Sequence, residues 1–353
     1  MKILQFTFTY GNNLGAMLQA YALNKVLTDM GNDCYFQPFF EKPFELPKSK
    51  LSLKDKILCL LRYYKKRNYT DKWFSNFNHF LYDRCKFAPF VEFDKLQNIQ
   101  NEYDMFLVGS DQAWNIQNYN NEYCLLKWVS DQNKRCSYAV SLGNYSIRLK
   151  NDPVAEAIKN FEYISFREMV DYLDAKRNGI DCRMDIDPTF LLEQSEWKKL
   201  TSNEYSFLKD CVVMFGYDRQ SFEFAKSYAK IKHKKLIIVN YFGNRTFPGI
   251  KIINPSTPQE LLSVIQYANC VVTHSYHVFI VSLNLNTRVF VTKNSGNKTA
   301  SRFETVMLLF ELSNRETDVN SIDAEIDWKA FNEKLSVMRK ESIAYLRSIT
   351  GND

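Results

Sequence analysis

Four side chains, far apart along the chain, have the types and settings that acid–base chemistry on an anionic ligand requires. His277 follows the apolar run Cys270–Thr273 and begins a helical pattern. We therefore expect its imidazole beside the positive end of a helix, where it can donate to a phosphate or act as a general acid. Arg167 and Arg302 lie at similar helix starts, and a guanidinium group suits a carboxylate or a phosphate. Asp111 ends another apolar run, where its carboxylate can accept a hydroxyl proton.

Each of these four positions is also compatible with a structural role. A histidine in the setting of His277 can cap a helix or fill a core, and Arg167 can form an ion pair with Glu168 or another nearby acid. Asp111 fits a helix cap or a turn, and Arg302 fits an exposed helix start. From the residues alone, both interpretations stay open.

Alternating strand and helix patterns place these residues at the carboxyl ends of predicted strands. The chain opens with a predicted strand at Ile3–Phe8 and an amphipathic helix at Ala16–Met30, which start a doubly wound α/β unit. The alternation restarts after a polar linker near 199–210. The later predicted strands lie at 34–37, 103–108, 135–140, 163–166, 211–215, 235–240, 270–273 and 289–292. In such sheets ligands bind beyond the carboxyl ends of the strands.

We therefore predict an α/β fold with two Rossmann-like domains that face each other across a cleft. The first domain spans residues 1–200 and contains a helical insertion at about 45–100, and the second spans 205–325. A helix within 326–353 is expected to pack back on the first domain.

Length and composition agree with this organisation. A chain of 353 residues exceeds what one hydrophobic core usually serves, and 45% hydrophobic with 24% charged residues excludes disorder, collagen and coiled coil. The 46 Lys and Arg exceed the 40 Asp and Glu by 6, which suits an anionic ligand but not a dedicated nucleic-acid binder. Eight widely spaced cysteines predict reduced thiols without structural zinc, and no apolar stretch reaches membrane-spanning length. We expect a cytoplasmic protein.

A basic segment interrupts the first domain. Residues 42–72 contain ten Lys or Arg and three acids, a difference of +7. Apolar residues recur there at helical spacing, at Leu53, Ile57, Leu60, Leu61 and Tyr64. This composition is found in helices on an anionic membrane surface, and more often in a helix packed on the first domain with a solvated basic face.

Seven short motifs follow one another in order along the predicted elements. They are Asn12-Asn13-Leu14-Gly15-Ala16 with Leu18-Gln19-Ala20-Tyr21-Ala22-Leu23, Tyr103-Asp104, Gly109-Ser110-Asp111-Gln112-Ala113-Trp114-Asn115, Ser165-Phe166-Arg167-Glu168, Asp187-Pro188-Thr189, Thr273-His274-Ser275-Tyr276-His277 and Ser301-Arg302-Phe303-Glu304. Each motif is weak alone, but their order resembles that of the polysaccharide pyruvyl transferase family over roughly residues 1–315.

The resemblance implies a fold similar to the GT-B glycosyltransferase architecture. It also implies transfer of the pyruvyl group of phosphoenolpyruvate onto a sugar with release of phosphate, usually as a cyclic ketal. Phosphoenolpyruvate is then the donor substrate, with no metal or further cofactor required. The acceptor is a glycan or a lipid-linked oligosaccharide of a cell-surface or exopolysaccharide precursor. With a lipid-linked acceptor, the basic segment 42–72 would contact the inner face of the membrane.

The same resemblance suggests roles for individual residues. The catalytic candidates are His277 and Asp111. The donor-binding candidates, mostly on the second domain, are Arg167, Arg302, His277 and Ser275. The acceptor-binding candidates on the first domain are Asn12, Asn13, Gly15, Gln112, Trp114 and Asn115, with Trp114 as either a stacking face or a core residue.

One departure from the family pattern keeps two other functions open. Val278 stands where the family commonly has glycine after the motif histidine, which would narrow the site or weaken an amide contact to the donor. His274 is a weaker candidate, because its place in the motif varies in the family. The alternatives are a nucleotide-sugar glycosyltransferase of the same fold and a catalytically degenerate glycan-binding module.

Overall fold

The computed structural model describes residues 1–9, 13–39, 41, 75–117, 122–147, 151–239, 247–292 and 300–351. Asn12 and the basic segment 42–72 lie outside these residues. The described cysteines are free thiols. Within the described part of the chain, no helix has the length and apolar character needed to cross a membrane.

The first half of the chain forms a parallel five-stranded sheet. Its strands are β1 Lys2–Phe6, β2 Asp33–Phe36, β3 Lys86–Phe87, β4 Met105–Val108 and β5 Arg135–Ser137, in the order β3-β2-β1-β4-β5. A short parallel pair, β6 Ser165–Phe166 and β7 Arg183–Met184, continues beyond β5 through bridges between Cys136 and Tyr163 and between Val140 and Phe166. All four residues of β4 are buried, as expected for a parallel sheet covered on both faces.

Helices of the first half connect these strands. They are α1 Leu14–Asp29, α2 at residues 75–82, α3 Pro153–Ile158, α4 Met169–Arg177 and α5 Gln194–Lys198. The first helix begins two residues before its predicted start, because Asn13 caps it by accepting a hydrogen bond from the Gly15 amide at 3.0 Å.

The second half repeats the strand order of the first. Its strands are β8 Cys211–Phe215, β9 Lys235–Val239, β10 Lys251–Ile253, β11 Cys270–Thr273 and β12 Val289–Val291, in the order β10-β9-β8-β11-β12. Its helices are α6 Arg219–Ile231, α7 Pro258–Tyr267, α8 Tyr276–Asn284 and α9 Ser301–Leu309. The predicted strands at 211–215 and 270–273 are confirmed to the residue.

The segment predicted as a polar linker near 199–210 is instead largely a packed 3-10 helix. Tyr205 and Leu208 are buried within it, and their apolar side chains hold the segment against the second half. The 3-10 helices lie at Phe93–Ile99, Glu122–Leu125, Gln132–Lys134, Pro188–Phe190, Asn203–Asp210, Ser313–Arg315 and Val319–Ser321.

The last helix, α10 Trp328–Thr350, contacts the first half of the chain. Tyr345 donates a hydrogen bond to the Ser137 carbonyl at 3.0 Å, and Ser342 donates to Asp185 Oδ1 at 2.8 Å. These bonds join the C-terminal helix to the region around β5 and β7.

Candidate active site

The candidate site lies where the carboxyl ends of the two sheets meet. Asp111 and Arg167 follow strands of the first half, while His277 lies in the first turn of α8, just after β11. His277 Nε2 is 3.7 Å from Asp187 Oδ2, so a residue of the second half contacts one of the first. The predicted residue His277 is therefore packed against a residue that lies 90 positions earlier in the chain.

A buried ion network forms the first-half side of this site. Arg167 Nε donates to Glu168 Oε1 at 2.9 Å, and its Nη1 donates to Asp187 Oδ2 at 2.9 Å and to Ser110 Oγ at 3.3 Å. Asp187 Oδ1 accepts from the amide and the hydroxyl of Thr189 at 2.9 and 2.8 Å. Burial opposes the positive charge, but the Glu168 and Asp187 carboxylates outweigh it and raise the pKa of Arg167. The ion pair between Arg167 and Glu168, which was the expected contact if Arg167 has a structural role, is present.

His277 is buried beside this network. Burial lowers the pKa of its imidazole, and the charges of Arg167 and Arg302 lower it further, against the opposing effect of Asp187 and Asp111. Nε2 has no hydrogen-bond partner among the described residues, since its distance to Asp187 exceeds hydrogen-bonding range. The lowered pKa favours the neutral imidazole at pH 7, and one ring nitrogen makes no hydrogen bond to a described residue.

Gly15 explains how the imidazole fits against α1. A Cβ atom on Gly15 would lie 1.9 Å from His277 Nδ1, 2.1 Å from its Cγ and 2.6 Å from its Cβ. Only a glycine lets the first turn of α1 approach the ring this closely. The predicted acceptor residue Gly15 and the predicted catalytic residue His277 are thus in direct contact.

Two guanidinium groups and an imidazole lie around the ring of Tyr276. The guanidinium carbons of Arg167 and Arg302 lie 4.8 and 5.4 Å from the centre of this ring, and the His277 ring centre lies 5.1 Å from it. Arg167 Nη2, Arg302 Nε and His277 Nε2 are all buried and make no hydrogen bond to a described residue. Burial and the neighbouring charge of Arg167 lower the pKa of Arg302. An anion with several oxygen atoms would complement this cluster.

Asp111 lies within electrostatic range of the same cluster. Its carboxylate raises the pKa of both His277 and Arg302, so its charge is felt at both groups. The backbone of Asp111 has φ of 74°, a conformation that costs energy for a residue with a side chain and that is concentrated at functional sites. Its Oδ1 accepts from the Gln112 amide at 2.9 Å.

Most of the chain matches a single family. The sequence model of the polysaccharide pyruvyl transferase family covers residues 13–296. The chain belongs to the polysaccharide pyruvyl transferase family. None of the curated protein sequences matches it.

Solved structures of UDP-N-acetylglucosamine 2-epimerases share the fold of this family member. The enzyme from Neisseria meningitidis has a TM-score of 0.56 at 8% identity, with 100% of both chains covered. The enzyme from Methanocaldococcus jannaschii has 0.54 at 12% identity, covering 97% of this chain and 99% of its own. The enzyme from Rickettsia bellii has 0.52 at 11% identity, covering 99% and 98%. The likeness confirms the predicted architecture of two Rossmann-like domains.

The other predicted acceptor residues of this family member have structural contacts. Gln112 Oε1 accepts from Asn115 Nδ2 at 2.9 Å, and both side chains pack on Gly143, where a Cβ would lie 2.3 Å from Gln112 Oε1. Asn13 caps α1 as described above. Ser275, a predicted donor-binding residue, precedes α8 without a side-chain cap, and its amide donates to Thr273 Oγ1 at 3.0 Å.

Trp114 has no exposed face for stacking on a sugar. Its indole is fully buried against Phe161 and Phe166 in edge-to-face contacts, and its Nε1 donates to the Cys124 carbonyl at 3.1 Å. The aromatic neighbours enclose the ring, so the structure places Trp114 in the core. Val278 is likewise buried in the apolar core.

Asp187 and Tyr276 contribute to the site although neither is among the predicted site residues. The sequence singles out Asp187 only as part of the motif Asp187-Pro188-Thr189, although its Oδ2 contacts both Arg167 and His277. Its appearance in a polar motif next to a proline was the one signal available. Nothing in the pattern around Tyr276 indicates that two guanidinium groups contact its ring.

Proposed function

We propose that this chain transfers the pyruvyl group of phosphoenolpyruvate onto a sugar of a cell-surface or exopolysaccharide precursor and releases phosphate. The observation that carries the proposal is the set of three buried nitrogens around Tyr276 that lack partners among the described residues. Phosphoenolpyruvate has a carboxylate and a phosphate, both of which accept charge-assisted hydrogen bonds. Membership of the pyruvyl transferase family favours this donor over other small anions.

In the proposed reaction Arg302, Arg167 and Ser275 hold the donor, and His277 supplies a proton. An anion bound beside the imidazole offsets the burial and the guanidinium charges that lower its pKa. The protonated ring then acts as the acid that delivers a proton to the methylene carbon of the donor. Phosphoenolpyruvate is the donor substrate, and the proposed steps use no further cofactor.

The proposed acceptor lies on the first-half side of the site. The Asp111 carboxylate accepts the proton of the attacking sugar hydroxyl, and Asn12, Asn13, Gly15, Gln112 and Asn115 line the sugar. Asp111 supports this role because its charge is felt at His277. The reaction takes place in the cytoplasm, and with a lipid-linked acceptor the segment 42–72 contacts the inner face of the membrane.

Phosphate release tests the proposal. Incubation with phosphoenolpyruvate and a panel of methyl glycosides should release phosphate, while UDP-sugars should release no nucleotide. His277→Ala should abolish release and still give a folded protein, with an unfolding temperature lowered only by the cavity that the buried ring leaves. Nucleotide release would favour a glycosyltransferase, and release of neither product a glycan-binding module. Full activity of His277→Ala would contradict the role of this residue.

A further inference from the structure

A second histidine–carboxylate pair lies on the other side of the first turn of α8. His274 Nδ1 is 3.3 Å from Asp218 Oδ2, a buried oxygen that makes no hydrogen bond to a described residue. The ring of His274 lies against Gly216, which has φ of 77° and where a Cβ would lie 2.5 Å from His274 Cε1. Two imidazoles thus lie within three residues of each other after β11, His277 beside Asp187 of the first half and His274 beside Asp218 of the second.

His274 and Asp218 lie at the edge of the sheet where ligands bind, not in the hydrophobic core. His274 directly follows β11, and Gly216 directly follows β8, the adjacent strand of the sheet. Both therefore lie at the carboxyl edge where α/β folds bind ligands. The His274 side chain is 40% exposed, whereas the Asp218 oxygen that faces it is buried.

Asp218 is held so that it orients the ring. Its Oδ1 accepts from the Ser221 amide at 2.8 Å and caps α6. Burial raises the pKa of Asp218, but the contact with His274 and the bonds from Ser221 lower it more, to about 2. A carboxylate beside Nδ1 favours the tautomer that carries its proton on that nitrogen, so Nε2, on the other side of the ring, is the nitrogen left to contact a ligand.

We propose that His274, oriented by Asp218, contacts the donor phosphate and protonates it as it leaves. This inference rests on the proposed function and adds a second catalytic residue to it. Asp218 is a positioning residue that acts through His274.

Ketal formation transfers two protons in separate steps, which gives a second acid–base group a role. Forming a ketal removes two sugar hydroxyl protons and delivers one to the methylene carbon and one to the phosphate. In the first step a hydroxyl oxygen bonds to the central carbon while the methylene carbon gains a proton, the step assigned to Asp111 and His277. In the second step the carbon–oxygen bond to phosphate breaks, and its electron pair stays on the oxygen, which takes the His274 Nε2 proton. The second hydroxyl closes the ring and returns its proton to His274.

Two measurements separate these steps. Phosphate release reports the second step. Deuterium incorporated from D2O into the methyl group of the adduct, or into the methylene group of phosphoenolpyruvate returned from it, reports the first. His274→Asn keeps a donor near the Nδ1 position but lacks Nε2. We expect its phosphate release to fall by about 10²- to 10⁴-fold, the usual contribution of a general acid, while deuterium uptake continues. Asp218→Asn should act in the same direction, because its Oδ1 still caps α6 while its amide disfavours the required tautomer.

His79→Asn is the matched control, since His79 forms an exposed pair with Asp83 at 3.9 Å. It should change neither rate. Equal loss of both rates in His274→Asn, or loss of neither, would overturn the acid role.

A binding measurement distinguishes this proposal from the proposed function. The chain has four histidines, so imidazole NMR signals can be assigned with His274→Asn and followed while inorganic phosphate is added. We expect the His274 signal to shift in the wild type and to respond less in Asp218→Asn. A shift without phosphate release from phosphoenolpyruvate would reject the proposed function, and the acid role with it, but retain the phosphate contact. Phosphate release without a shift would reject the His274 contact alone.

Discussion

Replacing Gly15 with alanine should impair the reaction far more than it impairs folding. The added Cβ would lie 1.9 Å from His277 Nδ1, whereas ordinary contact begins at 3.4 Å, so the ring must move by about 1.5 Å. A rotation of the ring alone does not suffice, because the new atom is also 2.6 Å from the His277 Cβ. A displacement of about 1 Å in a catalytic group costs about 10²-fold in rate, so we expect a loss of at least this size.

The expected effect on stability is small because two terms oppose each other. Alanine in a helix is about 0.5–1 kcal/mol more favourable than glycine, whereas overpacking costs about 1–3 kcal/mol. The net destabilisation is therefore about 1 kcal/mol. Gly31→Ala is the matched control: it lies beyond the other end of α1, has φ of 88° and has no atom within 4 Å of an added Cβ. Its strain should cost a similar free energy of unfolding and leave the reaction rate unchanged.

Initial rates of phosphate release and urea unfolding of both variants give the comparison. A double variant with His277→Ala adds a sharper criterion, because an effect transmitted through the imidazole should disappear once the imidazole is gone. If Gly15→Ala releases phosphate at the wild-type rate, the position of the ring does not matter to the reaction. If it slows the His277→Ala background further, the glycine acts through another group.

Three further predictions concern charge. Asp187→Asn leaves Arg167 short of a buried partner, and urea unfolding should show a loss of about 3–5 kcal/mol; a loss below 1 kcal/mol would refute a structural role for the pair. Arg302→Gln should weaken phosphoenolpyruvate binding by about 10- to 100-fold in calorimetry without lowering the unfolding temperature, since burial already disfavours its charge; unchanged affinity would exclude Arg302 from the donor site. The folded-state pKa of His277 is depressed below 6.5, so its contribution to stability is present above pH 6.5 and is lost as pH falls. An anion that favours the protonated ring should offset this loss, so sulfate should raise the unfolding temperature more at pH 5.5 than at pH 7.5. His277→Asn should lack this difference.

Strand positions were predictable from the sequence because parallel strands buried on both faces are continuous apolar runs. The run Cys211–Phe215 is buried throughout, and its predicted limits are those of β8. The two-residue strand Lys86–Phe87 was missed, because its residues are only partly buried and its pairing with β2 depends on tertiary contacts. The segment 199–210 was misjudged for the opposite reason, since two buried side chains among polar neighbours are enough to order it.

Individual site residues were predictable, but the bonds between them were not. Strand-to-helix junctions correctly placed Arg167 and His277 at one edge of the fold. The sequence does not contain the fact that Asp187, twenty residues after Arg167, returns to pair with it at 2.9 Å. The same limit applies to Trp114, because enclosure by Phe161 and Phe166 depends on how separate segments pack.

The contact between Asp187 and His277 is expected to couple protonation of the imidazole to donor binding. Its Oδ2 bonds to Arg167 at 2.9 Å, so its negative charge is already compensated when the oxygen faces His277 at 3.7 Å. The compensated carboxylate raises the pKa of His277 by less than burial lowers it, so the neutral imidazole is favoured. An anion near Arg302 would reduce the remaining positive field, and His277 could then take up a proton and shorten its contact with Asp187. Proton uptake would thus accompany donor binding, and the general acid would form where its substrate is already held.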